Sequence, residues 1–178
     1  MIVESKVKKS RTVSFRIPED MISEIEKEAK TNLTSTNILV NQILHYYVTW
    51  ERHRQKMKMY PISEEILRDI MNNTKDSQMN NVVDLVFNSI RESALITKKK
   101  FDLNSSIQVM KEYCNTFGIS FDDSETSEKH IFTIRHNMGK NFSLLFEKLF
   151  EKIIWDFKKE KIECESTKSC IVIKTKNF

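Results

Sequence analysis

Residues 11–17 constrain the fold of this chain more than any other segment. They read Arg-Thr-Val-Ser-Phe-Arg-Ile, and polar and apolar side chains alternate strictly from Thr12 onward. Because successive side chains of a β-strand point to opposite faces, this alternation predicts a strand with one polar and one apolar face. A lone strand can neither pair its backbone groups nor cover its apolar face, and no second strand-like segment follows nearby. We therefore expect the segment to pair with the same segment of a second copy of the chain.

The antiparallel two-stranded ribbon that results would have two different faces. Its apolar face would carry Val13, Phe15 and Ile17, and its exposed polar face would carry Thr12, Ser14 and Arg16. A two-stranded ribbon has the width to enter the DNA major groove, so the polar face is a candidate DNA-reading surface.

Two short amphipathic helices are predicted after this strand. The first begins at Pro18, whose missing N–H is no loss at a first helical position, and ends near Lys30. Asn32 is expected to adopt the left-handed conformation in the turn, and Thr34 to cap the second helix. The apolar residues of strand and helices predict the core of an intertwined dimer, made of Val13, Phe15, Ile17, Ile25, Leu39, Ile43 and Tyr47.

This order of strand, helix, turn and helix within residues 10–50 resembles the ribbon-helix-helix family, the Arc/MetJ/CopG-type repressors. The resemblance implies that the three polar strand residues read base edges. It also implies that backbone N–H groups at the start of the second helix hold a DNA phosphate, here at Thr34, Ser35 and Thr36. The chain departs from the family at the turn, where many members carry Gly and this chain has Asn32.

The positive charge of the chain is concentrated in the same region. Residues 1–60 hold 11 Lys and Arg against 7 Asp and Glu, whereas residues 61–178 hold 18 of each. Within the first part, Lys6, Lys8, Lys9, Arg11 and Arg16 occur with no acid between them. Such a cluster suits phosphate contact, and we predict that Lys8, Lys9 and Arg11 touch the DNA backbone. A solvated basic tail is the alternative.

The rest of the chain predicts a mostly helical protein with a small α+β part. Its 178 residues suffice for one domain or two small ones. We expect a ribbon-helix-helix DNA-binding domain at 1–55, a helical connector at 56–100, and an α+β domain for dimerisation or sensing at 101–178. In the last part, helices are expected to cover one face of a sheet.

Hydrophobic periodicity predicts the individual elements of this region. Ser63 is a predicted helix cap, Gly118 a predicted helix stop, and a hairpin is expected around Thr167 and Lys168. Helices are expected near 63–72, 78–96, 103–117 and 142–157, and strands near 119–121, 130–136, 161–165 and 170–175.

A metal site is the main chemical hypothesis for this domain. His130, His136, Cys164 and Cys170 would converge if their strands paired, and a nickel-sensing repressor family joins a ribbon-helix-helix module to a small α+β metal domain. Their spacing reproduces no tight metal motif, and histidines on one strand face commonly pack in a core. We therefore assign no metal and no cofactor. The sequence has no Gly-rich phosphate loop, nucleophile elbow or HExxH, so no enzyme is expected.

The sequence thus predicts a dimeric, sequence-specific DNA-binding transcriptional regulator, most simply a repressor. Its expected partners are double-stranded DNA and a second copy of itself. Three cysteines fit the reducing cytoplasm, and the chain lacks the 18 consecutive apolar residues of a membrane span. Two alternatives stay open: an antitoxin-like interaction protein whose C-terminal part binds a protein partner, and a chain that uses the ribbon only to dimerise.

Overall fold

The computed structural model describes residues 10–177 except Gln55 and Lys58. The chain divides into two compact units, Met1–Tyr47 and Val48–Phe178. The described residues combine α-helices with a four-stranded antiparallel sheet near the C-terminal end, which confirms the broad α and α+β class. None of their helices is both long enough and apolar enough to span a membrane.

The N-terminal unit contains two helices, α1 (Glu19–Thr31) and α2 (Thr36–Tyr46). Pro18 is the N-cap of α1, and Glu19 and Asp20 lie in its first turn, where acids favour the positive end of the helix dipole. Residues 10–18 form neither helix nor strand within the single chain. The predicted strand therefore has no strand partner among the described residues of its own chain, and the ribbon stays a prediction.

The turn between these helices differs from the expectation at two residues. Leu33 (φ 51°), not Asn32 (φ −86°), takes the left-handed conformation. Its position allows the Thr34 N–H to reach the Ala29 carbonyl at 2.9 Å, so Thr34 belongs to the end of α1. The α2 cap is accordingly Ser35, whose side chain accepts a hydrogen bond from the Ile38 N–H at 3.2 Å.

The remaining elements follow the predicted order closely. A π-helical segment, Tyr47–Glu51, and the short helix α3 (Arg52–Arg54) come first. Longer helices follow: α4 (Glu64–Asn73), α5 (Asp76–Lys98), α6 (Leu103–Thr116) and α7 (Lys140–Lys158). The strands are β1 (Ser120–Glu125), β2 (Lys129–Arg135), β3 (Glu163–Ser166) and β4 (Cys170–Lys176), in the sheet order β1-β2-β4-β3.

Local signals read from the sequence account for several of these boundaries. The Ser63 side chain accepts from the Ile66 N–H and caps α4, as predicted. Gly118, which follows the C-cap residue Phe117 of α6, has φ +66°, a backbone conformation that few other residues adopt, so it is the predicted stop. The hairpin closes through the Thr167 N–H, which donates to the Cys170 carbonyl at 2.8 Å. These three predictions are confirmed.

The core of the C-terminal unit lies between the sheet and its helices. Alternate residues of β2 and β4 are buried, as expected for a sheet with one face on the core. The facing stripe of α7 includes Leu149, Phe150 and Ile153, which are all buried, and the Phe150 ring lies 5.1 Å from the ring of Phe132. The predicted apolar stripe of this helix is therefore the centre of the core.

The predicted connector at 56–100 is not separate from this core. Met71 of α4 and Met79, Val83 and Phe87 of α5 are buried in the same cluster as the sheet residues. The α5 helix packs on α6 and α7, because its apolar stripe needs cover that those helices provide. The buried cluster therefore continues across residue 100, and the division into a connector and an α+β domain stays a prediction.

Candidate nucleic-acid interface

The predicted reading segment is exposed on both of its faces in the single chain. Thr12, Ser14 and Arg16 are exposed, as expected for residues that face a ligand or solvent. The apolar Val13 and Phe15 between them are also exposed, at 53% and 65% of their surfaces. Two neighbouring large apolar side chains left in water are unfavourable, so this face lacks its cover in one chain.

The same lack of cover extends to the helices of the N-terminal unit. Of the residues predicted to form the dimer core, Leu39 is buried and Ile17 and Ile25 are half-buried. Ile43 and Tyr47 are 45% and 55% exposed. Among the described residues of this unit, the fully buried ones are Ala29 and Leu39. A unit of this size with so small an interior needs another surface to be stable.

Ile38 and Leu44 share this exposure, with 51% and 45% of their surfaces exposed. Both belong to the broad apolar surface of α2 that periodicity predicts for the dimer core. Leu33, which was not predicted for this core, is 96% exposed. Leu33 had no signal in the periodicity, because it lies in the turn.

The start of α2 offers hydrogen-bond donors. The Ser35 side chain caps the Ile38 N–H, and the Ser35 carbonyl accepts from the Leu39 N–H at 3.0 Å. The Thr36 and Asn37 N–H groups belong to the first turn, which carries no acidic residue. The first turn of a helix has no intrahelical acceptor for its N–H groups, and such groups bind anions. Of the predicted phosphate site, Ser35 is exposed, and Thr34 and Thr36 are half-buried.

The basic cluster lies partly outside the described residues. Lys8 and Lys9, predicted to touch the DNA backbone, are among residues 1–9, which lie outside the described part of the chain. Arg11 and Arg16 are exposed, and no ion pair joins either of them to another described residue.

The four residues of the metal hypothesis lie apart in the C-terminal unit. His130 lies opposite Thr175 near one end of β2, and its ring bonds to Asp123 and stacks on Phe132. Cys170 lies opposite Arg135 at the other end of this strand pair, and Cys164 pairs with Ile173. Over the described part of the chain, no three His, Cys, Asp or Glu side chains are grouped to hold a metal ion.

His136 has hydrogen-bond partners of its own. Its Nδ1 accepts from the Met138 N–H at 3.1 Å, and its Nε2 lies 3.0 Å from the Ser143 hydroxyl, which donates to the Thr167 carbonyl at 2.6 Å. Burial lowers the pKa of His136 below its usual value of 6.5. This arrangement favours the neutral ring, whose hydrogen bonds link the end of β2 to α7 and, through Ser143, to the β3–β4 hairpin.

No protein-family model matches this sequence, and no curated protein sequence matches it. The resemblance to ribbon-helix-helix proteins therefore remains an expectation drawn from the order and alternation of residues 10–50.

Proposed function

We propose that the chain is a sequence-specific DNA-binding transcriptional regulator that acts as a dimer. Residues 12–17 of two copies would form an antiparallel ribbon. The ribbon would place Thr12, Ser14 and Arg16 of both copies in the major groove. The α2 N-termini and the basic residues around Arg11 would hold the flanking phosphates. The activity would be cytoplasmic, and repression is its simplest outcome.

The observation that carries this proposal is the exposed apolar surface of the N-terminal unit. Phe15, Ile43 and Tyr47 are each about half exposed or more. Pairing of two copies would cover these side chains and would give residues 12–17 the strand partner that they do not find among the described residues of one chain. Each fully covered large side chain contributes about 1.5–3 kcal/mol, so a handful of them per copy suffices for a stable dimer.

The distribution of charge supports DNA as the partner of the opposite face. The alternation that puts Phe15 on one face puts Ser14 and Arg16 on the other, and the exposed Arg11 precedes the strand. Phosphate contacts by such residues supply most of the non-specific affinity for DNA, and polar side chains at the groove floor supply specificity.

Two matched substitutions test the proposal, because they add the same charge to opposite faces of one strand. Phe15→Asp would bury a carboxylate in the dimer core. Ser14→Asp would place a carboxylate on the face that is proposed to contact DNA. Sedimentation equilibrium should find that Phe15→Asp raises the dimer dissociation constant by at least about 100-fold, which corresponds to about 2.8 kcal/mol. Ser14→Asp should stay dimeric but lose DNA binding in gel-shift titrations, because it repels phosphates.

Each result separates the proposal from an alternative. A dimeric Phe15→Asp protein with normal DNA binding would contradict the ribbon. A Ser14→Asp protein with full DNA affinity would mean that the ribbon only dimerises the chain, and that its function lies elsewhere.

A further inference from the structure

The C-terminal unit contains an apolar cavity of about 350 Å³ between helices α4, α5, α6 and α7. Its floor consists of buried core side chains, among them Ile90, Met110 and Leu149. Its mouth is flanked by Ile70 of α4 and by Phe117 at the end of α6, which are 52% and 44% exposed. The cavity therefore opens to solvent and reaches into the core of this unit.

The volume of the cavity fits a small organic molecule. A cavity of about 150 Å³ lined by apolar side chains holds benzene, and ligand pockets begin at about 300 Å³. The space between these helices therefore accepts a molecule about twice the size of benzene, with roughly a dozen non-hydrogen atoms.

The lining of the cavity restricts the chemistry of that molecule. Aliphatic, aromatic and sulfur-containing side chains make up almost all of the wall, and none of its lining residues is charged. Moving an unpaired charge into such surroundings costs several kcal/mol or more, so an ionised ligand is excluded.

One polar group interrupts this wall. The Tyr113 hydroxyl lies 3.2 Å from the Ser89 hydroxyl and 3.0 Å from that of Ser93, and Tyr113 and Ser89 both line the cavity. Each hydroxyl has one proton to donate, so the two hydrogen bonds among these three groups use two of three protons. One O–H donor and several oxygen lone pairs of these three groups remain unused, and two of the three groups, Ser89 and Tyr113, line the cavity.

We propose that this cavity binds an uncharged, largely apolar molecule of about a dozen non-hydrogen atoms that carries one hydroxyl or carbonyl group. The apolar part fills the space between α4 and α7 on one side and α5 and α6 on the other. The polar group bonds to the hydroxyls of Ser89 and Tyr113. This site goes beyond the proposed DNA-binding function and does not depend on it.

A molecule in the cavity would contact Tyr113, whose ring packs against a tryptophan. The Tyr113 ring meets the edge of the Trp50 ring at 4.8 Å, and Trp50 is buried. Trp50 lies three residues after Tyr47, the last residue of the N-terminal unit. A ligand that shifts Tyr113 therefore changes the surroundings of a side chain next to the junction of the two units.

Methionine methyl signals provide a direct test in the full-length chain. Met71 and Met110 line the cavity, whereas Met79 is buried in the same core and does not line it. Protein labelled with ¹³C at the methionine methyl groups is titrated with 1-naphthol. The Met71 and Met110 signals should shift saturably, and the Met79 signal should stay in place. Naphthalene should bind several-fold more weakly, since it lacks the hydroxyl, and 1-naphthoate should not bind.

Two variants complete the test. Val86→Phe fills the cavity with the ring of a wall residue, so it should raise the melting temperature and abolish the 1-naphthol shifts. Tyr113→Phe should weaken 1-naphthol several-fold and leave naphthalene unchanged. The absence of saturable shifts, equal shifts of Met79, or full binding by folded Val86→Phe protein would overturn the proposal. If Val86→Phe does not fold, equal 1-naphthol affinity of wild type and Tyr113→Phe overturns the assigned polar contact.

Discussion

Leu33 has an unusual combination of backbone conformation and exposure. It occupies the left-handed region at φ 51° while 96% of its surface is exposed. Its N–H donates to the Lys30 carbonyl, and the Thr34 N–H donates to the Ala29 carbonyl. These two bonds form the helix-ending motif in which Gly is the usual residue at this position. The chain therefore keeps a strained, apolar residue where Gly would be relaxed.

Leu33→Gly should raise the free energy of unfolding by about 1 kcal/mol, because it removes the left-handed strain of a residue with a Cβ. Leu33→Ala is the matched control, since it shortens the side chain and keeps the strain, and it should change stability by less than about 0.5 kcal/mol. Denaturant titrations at one protein concentration measure both. A loss of stability in both variants would contradict this account and would assign the Leu33 side chain to a contact with another molecule.

The pKa of His136 makes the stability of the C-terminal unit depend on pH. Because burial lowers this pKa in the folded chain, the unfolded chain binds more protons below about pH 6.5. Protonation also removes the Nδ1 acceptor of the Met138 N–H. The contribution of His136 to the free energy of unfolding is fully present above pH 6.5. It is lost as the pH falls from there through the folded pKa, by at most about 1.4 kcal/mol per pH unit.

Substitution of His136 by Gln should therefore flatten the stability profile below pH 6.5. Asn137→Gln is the control, because it changes the exposed neighbour of His136 and no titrating group, and it should keep the pH dependence of the wild type. Chemical denaturation monitored by tryptophan fluorescence at several pH values gives the measurement, because both tryptophans lie in the C-terminal unit. If the free energy of unfolding of His136→Gln fell with decreasing pH as steeply as that of the wild type, His136 would not be the cause of the pH dependence.

At the scale of elements, the sequence predicted helices and strands well wherever a regular pattern had a local cause. The stripe that begins at Phe142 predicted α7, and Ser63 and Gly118 marked the ends of α4 and α6. The predictions failed where contacts with residues elsewhere in the fold determine a residue's conformation or burial. The conformation of Leu33 follows from the hydrogen bonds at the end of α1, and the burial of Met79 follows from contacts with elements far along the chain. Neither has a local signature.

The candidate DNA-reading strand is the element whose prediction depends most on a second molecule. Alternation identified which residues are apolar and polar, but residues 10–18 form no strand with another described segment of the single chain. The cavity at Tyr113 was likewise beyond the sequence, because four helices that are separate in sequence form its wall.

Two arginines on this segment should differ in what they contribute. Arg16→Ala should cost about 1–3 kcal/mol on the preferred site and should relax the preference at particular bases. Arg11→Ala, the matched control, should weaken all duplexes about equally and reduce the dependence on salt concentration, as expected for a phosphate contact. Gel-shift titrations on specific and random duplexes at several salt concentrations distinguish the two. Equal losses on both DNAs for Arg16→Ala would make Arg16 a phosphate contact only.

At the scale of the whole molecule, the two units differ in how they obtain a core. The C-terminal unit has a continuous cluster of buried side chains within one chain, whereas Ala29 and Leu39 are the buried residues among those described in the N-terminal unit. The stability of the first unit should therefore be intrinsic, and that of the second should depend on pairing.

Thermal unfolding should accordingly show two transitions. Tryptophan fluorescence reports residues 48–178, and its midpoint should not change with protein concentration, because that core lies within one chain. Far-ultraviolet circular dichroism also reports α1 and α2, and it should add a transition whose midpoint rises with concentration, as mass action requires for a dimer. A single transition seen identically by both signals would mean that the two units unfold together.

Selection of bound sites from random duplex DNA by the full-length protein tests whether the N-terminal strands of a dimer read DNA sequence. A dimer with a two-fold axis reads two equivalent half-sites, so we expect strong enrichment of an inverted repeat. The enrichment should disappear with Ser14→Asp, which changes the reading face alone. A pool that stays random after repeated selection, or that Ser14→Asp protein enriches equally well, would contradict the claim that this chain reads DNA through its N-terminal strand.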